Sequence, residues 1–276
     1  MTDRISANAR RRGRRVALAV VALPAITRGA SAQISVDELE LHIPLKRGAM
    51  SAAQIFHAAN AAAVPAQATI SIQDWDRGER GDNRYYPLGT LPASCGSHVK
   101  VFPSVLQLEP RSTQTVRVTI DSAAAIAAGC YAILFIETPP APRGPNGAAL
   151  VYSVRYGVKV YVERDLPLSG EVVDVATASR DTTLNRGADS SLEQVVVTYR
   201  NTGARQTQTH GSIEVRRPDN TLAATIPIPE FPTLPGATRR LGVPLPALPP
   251  GKYVLLALLD YEGAEIAAGQ VELEIR

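Results

Sequence analysis

Apolar and polar residues alternate along most of the chain beyond Gln33. Ala68, Ile70 and Ile72 alternate with Thr69, Ser71 and Gln73, and Val116, Val118 and Ile120 with Thr115, Arg117 and Thr119. Close to the C-terminus, Val271, Leu273 and Ile275 alternate with Glu272, Glu274 and Arg276. A period of two with one apolar face predicts half-buried antiparallel strands. Turn signals punctuate them: Leu108-Glu109-Pro110, Pro218-Asp219-Asn220 and Pro249-Pro250-Gly251. Short strands cut by such signals point to an all-β chain built of β-sandwiches. Ser122 to Ala128 breaks the alternation and reads as a helical turn.

A weak internal repeat divides the chain. Gly129-Cys130-Tyr131 opens the apolar strand Ala132 to Ile136, and Gly251-Lys252-Tyr253 opens Val254 to Leu259. Each follows a Pro-containing turn and an alternating strand. A Tyr early in a late strand is a mark of the tyrosine corner of immunoglobulin-like sandwiches. The expectation is two such domains in tandem, residues 33–164 and 165–276, meeting near Asp165-Leu166-Pro167. The length of 276 residues suits two domains of ordinary size.

The N-terminus has a different pattern. Arg10, Arg11, Arg12, Arg14 and Arg15 precede an apolar run from Val16 to Ile26, and Ala30-Ser31-Ala32 follows. A basic segment, a short apolar core and A-x-A describe an export signal over residues 1–32, cleaved after Ala32, with the Sec and Tat routes both open. The apolar run is too short to span a bilayer. Cleavage removes seven basic residues and Asp3, turning the formal charge of +3 into −3. The electrostatic case for nucleic acid goes with it. The mature protein is expected to be exported, with no membrane anchor.

In an oxidising compartment Cys95 and Cys130 are expected to pair, closing a loop worth about 3–4 kcal/mol; the competing reading is a reactive thiol near His98. Catalytic signatures are missing: there is no G-x-S-x-G elbow, Gly-rich phosphate loop, C-x-x-C or H-E-x-x-H. His42, His57, His98 and His210 are scattered singly. Asp74, Asp76, Glu79 and Asp82 form an acidic stretch, but Arg77, Arg80 and Arg84 interleave with it, so a solvated loop competes with a calcium site. The expectation is a binding protein without enzyme activity, cofactor or metal.

Several segments, in order, resemble the periplasmic pilus chaperones of the PapD type. They are Phe102-Pro103 before Leu108-Glu109-Pro110 and Val116-Arg117-Val118; Glu137-Thr138-Pro139-Pro140; Leu150-Val151-Tyr152-Ser153-Val154 with Lys159 downstream; and Asp260-Tyr261-Glu262-Gly263. The resemblance implies two immunoglobulin-like domains, no cofactor, and a role in fimbrium biogenesis. It implies that Leu150, Tyr152 and Val154 are lent as a strand to pilin-like or other Ig-like surface subunits, with an outer-membrane usher as a further partner. The competing reading turns those three residues into their own domain's core. The resemblance makes Lys159 the anchor for a subunit's terminal carboxylate, with Gly157 supplying a bulge between Val154 and Lys159; a solvent-facing lysine is the plain alternative. It makes Glu137, Arg164 (displaced by one position) and Asp260 a charge network between the domains. One departure stands out: the family's second anchor, an arginine on the first strand, aligns with Glu40. The rival function is a structural or adhesion protein whose Ig-like domains bind cell-wall or extracellular polymer.

Overall fold

A computed structural model of the chain describes residues 34–140, 153–179 and 193–275. The export segment, Leu150 and Tyr152 lie outside the described residues. Among the described residues the elements are strands and two short 3-10 turns, as the alternation predicts. The first ten strands are β1 (Ile34–Val36), β2 (Glu40–Leu45), β3 (Ala52–Asn60), β4 (Ala66–Arg77), β5 (Asn83–Tyr86), β6 (Val99–Phe102), β7 (Val105–Leu108), β8 (Thr113–Ile120), β9 (Cys130–Glu137) and β10 (Arg155–Arg164). They form two sheets, one in the order β1-β3-β8-β6 and the other β2-β10-β9-β4, with β5 and β7 both pairing with β4.

The alternating residues meet between these sheets. Phe56, Val116, Val118 and Ile120 from one face Ala68, Leu134, Val158, Val160 and Val162 from the other, all fully buried. Each such valine contributes about 1.5–3 kcal/mol by leaving water. Strand β9 is buried on both faces: Cys130, Ala132, Leu134 and Ile136 enter this core, while Tyr131, Ile133 and Phe135 enter a second cluster outside the sheet. That explains why its sequence is a continuous apolar run rather than an alternation.

The remaining strands are β11 (Gly170–Ser179), β12 (Glu193–Asn201), β13 (Thr207–Arg216), β14 (Leu222–Thr233), β15 (Thr238–Pro244), β16 (Gly251–Asp260) and β17 (Ala267–Ile275). Their sheets run β11-β12-β15 and β14-β13-β16-β17, closing over Val195, Val197, Ile213, Val215, Leu255, Ala257 and Leu259. The tyrosine corner is present at Tyr253, whose hydroxyl donates to the Pro249 carbonyl at 2.9 Å. Tyr131, its counterpart in the sequence repeat, donates instead to Glu163 at 3.3 Å.

A deeper repeat went unread in the sequence. Asn60 ends β3 and Asn201 ends β12, both buried. Asn60 Nδ2 donates to Val64 O (2.8 Å) and Leu108 O (3.3 Å), and its Oδ1 accepts from Ala62 N (3.0 Å). Asn201 Nδ2 donates to Arg205 O (2.7 Å) and Thr233 O (2.9 Å), and its Oδ1 accepts from Gly203 N (2.8 Å). Each amide thus satisfies the backbone of its own turn and of a facing Pro-containing turn. Those facing turns, at Pro110 and Pro235, each place the next residue at positive φ: Arg111 at 54° and Gly236 at 70°.

Two loop expectations change. Asp74 and Asp76 belong to the end of β4, while Glu79 and Asp82 lie in the exposed turn into β5, so only the second half of the acidic stretch is a solvated loop. Asp74 is fully buried and accepts from Thr90 N (2.7 Å), Leu91 N (2.9 Å) and Ser94 Oγ (2.5 Å). Among the described residues no group of three or more His, Cys, Asp or Glu is placed to hold a metal ion. The helical turn is present but short, Ala123–Ala125.

Cys95 and Cys130 form a disulfide with Cα atoms 4.9 Å apart. It ties the segment entering β6 to the start of β9, and so one sheet to the other. Replacing both by serine should lower unfolding free energy by about 3–4 kcal/mol, the loop-closure value for 35 residues of separation. Denaturant melts of the oxidised wild type and the double variant check this.

Candidate functional site

The first strand segment changes sheets. β1 pairs with β3, from Ile34↔Asn60 to Val36↔Ala58. Asp37 ends this pairing: its carboxylate accepts from the His57 backbone N–H and faces His57 Nδ1, both at 2.7 Å. The His57 amide is the main reason the Asp37 carboxyl sits below the ordinary range. Three residues later the chain joins the other sheet, where β2 runs parallel to β10 in the register Lys159↔Glu40 through Arg164↔Leu45.

This crossing leaves β10 half-paired. On one side β9 pairs with it from Arg155↔Glu137 to Val162↔Cys130. On the other, β2 covers it only from Lys159 onward, and among the described residues no strand covers Arg155–Val158. The direction of the free groups follows from parity. Thr138 N donates to Val154 O, whereas Lys159 N donates to Leu39 O. Even-numbered residues therefore bond toward β9, and Arg155 and Gly157 turn their N–H and C=O groups to the uncovered side. That is a short open sheet edge.

The side chains along this edge sort by face. Val154 is half-buried and has the same parity as Tyr156, Val158, Val160 and Val162, which pack into the first core. Gly157, Lys159 and Tyr161 lie on the outer face. The β9–β10 register is unbroken from Arg155 to Val162, so the bulge expected at Gly157 does not exist. A Cβ at Gly157 would lie 2.9 Å from Ile133 Cδ1 and 3.4 Å from Phe135 Cε1, so these β9 side chains pack against its bare backbone. At the upper end, Arg155 stacks its guanidinium 3.4 Å over the Phe135 ring and pairs with Glu137 at 2.7 Å.

Lys159 is not the free cation that the sequence reading expects. Its Nζ lies 3.0 Å from Glu40 Oε1 and 5.0 Å from the centre of the Trp75 ring, and its side chain is only 16% exposed. The Tyr161 hydroxyl donates to the same carboxylate oxygen at 3.4 Å. Burial, then the Glu40 charge, pushes the Tyr161 phenol above its usual value, so it remains a donor. His42 stacks on Tyr161 with ring centres 4.6 Å apart. Glu40 thus takes up both the Lys159 ammonium and the Tyr161 hydroxyl.

Behind this edge the outer face is aromatic and carries the second domain. Trp75, Tyr131, Ile133, Phe135 and Tyr161 form one cluster with Leu234, and Ala237 packs against it. Leu234 comes from the same Pro235 turn that Asn201 braces. The interdomain contact continues along two polar lines. Glu163 accepts from Gln206 N (2.8 Å) and from Tyr131. The Glu79 carbonyl, at the β4–β5 turn, accepts from Arg240 N (2.7 Å) and Arg239 Nε (3.3 Å).

No protein-family model matches the chain, and no curated protein matches it in sequence. Solved structures do match in shape. The crystal structure of the class 5 fimbriae chaperone CfaA aligns with a TM-score of 0.51 at 8% identity, covering 88% of this chain and 100% of that one. A chain from a chaperone–tip adhesin complex of CFA/I fimbriae biogenesis aligns at 0.50 and 8%, covering 87% and 98%. The fold is that of the fimbrial chaperones.

Within this chaperone fold, the expected charge network is not assembled. Glu137 pairs with Arg155 at one end of the β9–β10 ladder. Arg164 lies nine residues further along β10, about 30 Å away in a strand, and donates to the carbonyls of Ile126 and Ala123. Asp260 accepts from the Glu262 backbone in its own turn at 2.8 Å. The domains of this chaperone fold are held instead through Leu234, Glu163 and Arg239. Arg239 bonds to a backbone carbonyl, Glu163 to a backbone N–H, and Leu234 packs on aromatic rings, and none of these leaves a pattern of paired charges in a sequence.

Arg239 is the testable member. It is buried, its Nη1 also donates to Pro232 O at 3.0 Å, and desolvation lowers its pKa. Arg239→Ala should cost about 1.5–3 kcal/mol and broaden the distribution of interdomain angles. Thermal melts and residual dipolar couplings from both domains check this; unchanged couplings would show that Leu234 and Glu163 suffice.

Proposed function

We propose that the protein is a non-catalytic periplasmic chaperone, with domains 33–164 and 165–276, that caps pilin-like or other Ig-like surface subunits and releases them to an outer-membrane usher. It does so by offering β10 as a strand. The observation that carries this reading is the edge at Arg155–Val158, left open among the described residues by the crossing from β1 to β2. Main-chain groups left free there would give affinity, and alternate side chains specificity. Val154 is half-buried on the face that Val158 and Val160 turn into their own core, so the reading rests on the main chain of β10 rather than on that side chain; Leu150 and Tyr152 lie outside the described residues. The likeness in shape to fimbrial chaperones supports the same reading.

Proline substitution tests it. Arg155→Pro removes one N–H from the open side while sparing the bonds to β9, a position where a sheet tolerates proline. Arg155→Ala keeps that N–H and removes only the side chain. The subunit that accompanies the wild type from its native periplasm, identified by mass spectrometry and purified, is then titrated against each variant. The alanine variant should bind within a few-fold of wild type and the proline variant roughly tenfold more weakly, the value of one good hydrogen bond. Equal binding by both would show that the edge is unused.

A further inference from the structure

The side of β10 that is open at Arg155–Val158 is the same side that β2 fills from Glu40 to Leu45. On the chaperone reading, on which this inference rests, a guest strand lies in line with β2. It must therefore end, or turn away, where β2 begins. There it meets Lys159 and Glu40, which are direct neighbours in the β2–β10 register.

This pair is closed in several directions. Glu40 Oε1 takes the ammonium at 3.0 Å, the Trp75 ring lies 5.0 Å from Nζ, and the Tyr161 hydroxyl reaches the same carboxylate oxygen at 3.4 Å. The wider neighbourhood is balanced too. Arg77 stacks over the same indole at 5.7 Å, and Glu163 faces Tyr131 on the sheet beside Tyr161. Lys159 and Arg77 thus stand against Glu40 and Glu163, and His42 Nε2 lies 3.9 Å from the second Glu40 oxygen. The next cation along the edge, Arg155, is about 13 Å away and tied to Glu137. A carboxylate arriving at Lys159 would gain one donor and confront the Glu40 charge at close range, where like charges repel strongly.

We propose that Glu40 is the specificity-determining residue of this edge. It closes Lys159 to anions, so the edge accepts an extended, uncharged main chain that turns away at β2 and refuses one that ends there in a free carboxylate. The lysine is latent, and removing the charge at position 40 uncovers it.

The test needs no client. The mature protein, isotopically labelled, is titrated with sodium acetate against sodium chloride at matched ionic strength, following the Lys159 ammonium and Trp75 indole N–H signals by NMR. In wild type neither signal should show a saturable, acetate-specific shift. In Glu40→Gln both should, with apparent affinity at least about tenfold tighter, as expected for removing a neighbouring like charge. A thermal melt confirms that the variant is folded, and Glu40→Ala repeats the measurement with a shorter side chain. Equal acetate binding by wild type and both variants would overturn the proposal, as would no binding by any of them. Neither result touches the chaperone reading, which stands or falls on Arg155→Pro.

Discussion

Backbone hydrogen bonding, more than any side chain, organises this molecule. A strand within a sheet needs partners on both sides, and an edge left open is a hazard that proteins cover, shorten or guard. Here one chain segment serves two sheets in turn: β1 completes one by pairing with β3, then β2 completes the other by pairing with β10. Three residues between them cannot cover what the crossing exposes. Among the described residues the gap falls at Arg155–Val158, and Asp37 is bonded to His57 where the chain leaves β3. Because Val158, Val160 and Val162 remain locked in the core and β9 holds β10 from Arg155 to Val162, the gap exposes main chain without loosening the strand.

The same sheet is buried on its second face by the other domain. An Ig-like sandwich normally turns polar side chains outward, yet here Tyr131, Ile133, Phe135, Trp75 and Tyr161 form an apolar outer layer. Leu234 enters that layer from a turn that Asn201 holds by the amide geometry Asn60 uses in the first domain. An equivalent turn is therefore put to two uses: beside β3 it closes a sandwich, and beside β12 it also docks the two sandwiches together. Hydrogen bonds to Glu79 O and Glu163 then set direction, which apolar contact alone does not.

How much of this the sequence reveals follows from what each feature is made of. The sandwiches, the tyrosine corner at Tyr253 and the Cys95–Cys130 bridge all leave marks in residue type: alternation, an aromatic after glycine, paired cysteines. The open edge does not, because it is an absence of pairing created by where β1 and β2 go. The charge network failed for a related reason. Glu137, Arg164 and Asp260 were placed by motif, and motif position does not say that the first two stand at opposite ends of one ladder. Gly157 was read as a bulge because glycine permits one; the same missing Cβ serves here to admit Ile133 and Phe135. Glu40 aligns with the family's second anchor, and the register places it beside Lys159. What the sequence did not supply was the 3.0 Å pairing that turns a mismatch into a closed site.

An exposed edge must also avoid the wrong strands, including those of other copies. Two features of β10 address this. Among the described residues the uncovered part of β10 is Arg155–Val158, which offers few main-chain bonds to a casual partner. Its ends are charged but not free: Arg155 is stacked on Phe135 and paired with Glu137, while Lys159 is held by Glu40 over Trp75. A charge held in this way still penalises an apolar strand laid over it, because desolvating the pair costs more than a brief contact returns. It gives no long-range pull toward anions, because each pair is neutral from a distance. Selection at such an edge rests on backbone pairing and side-chain fit along its whole length, and only a partner that brings an extended strand in register satisfies both.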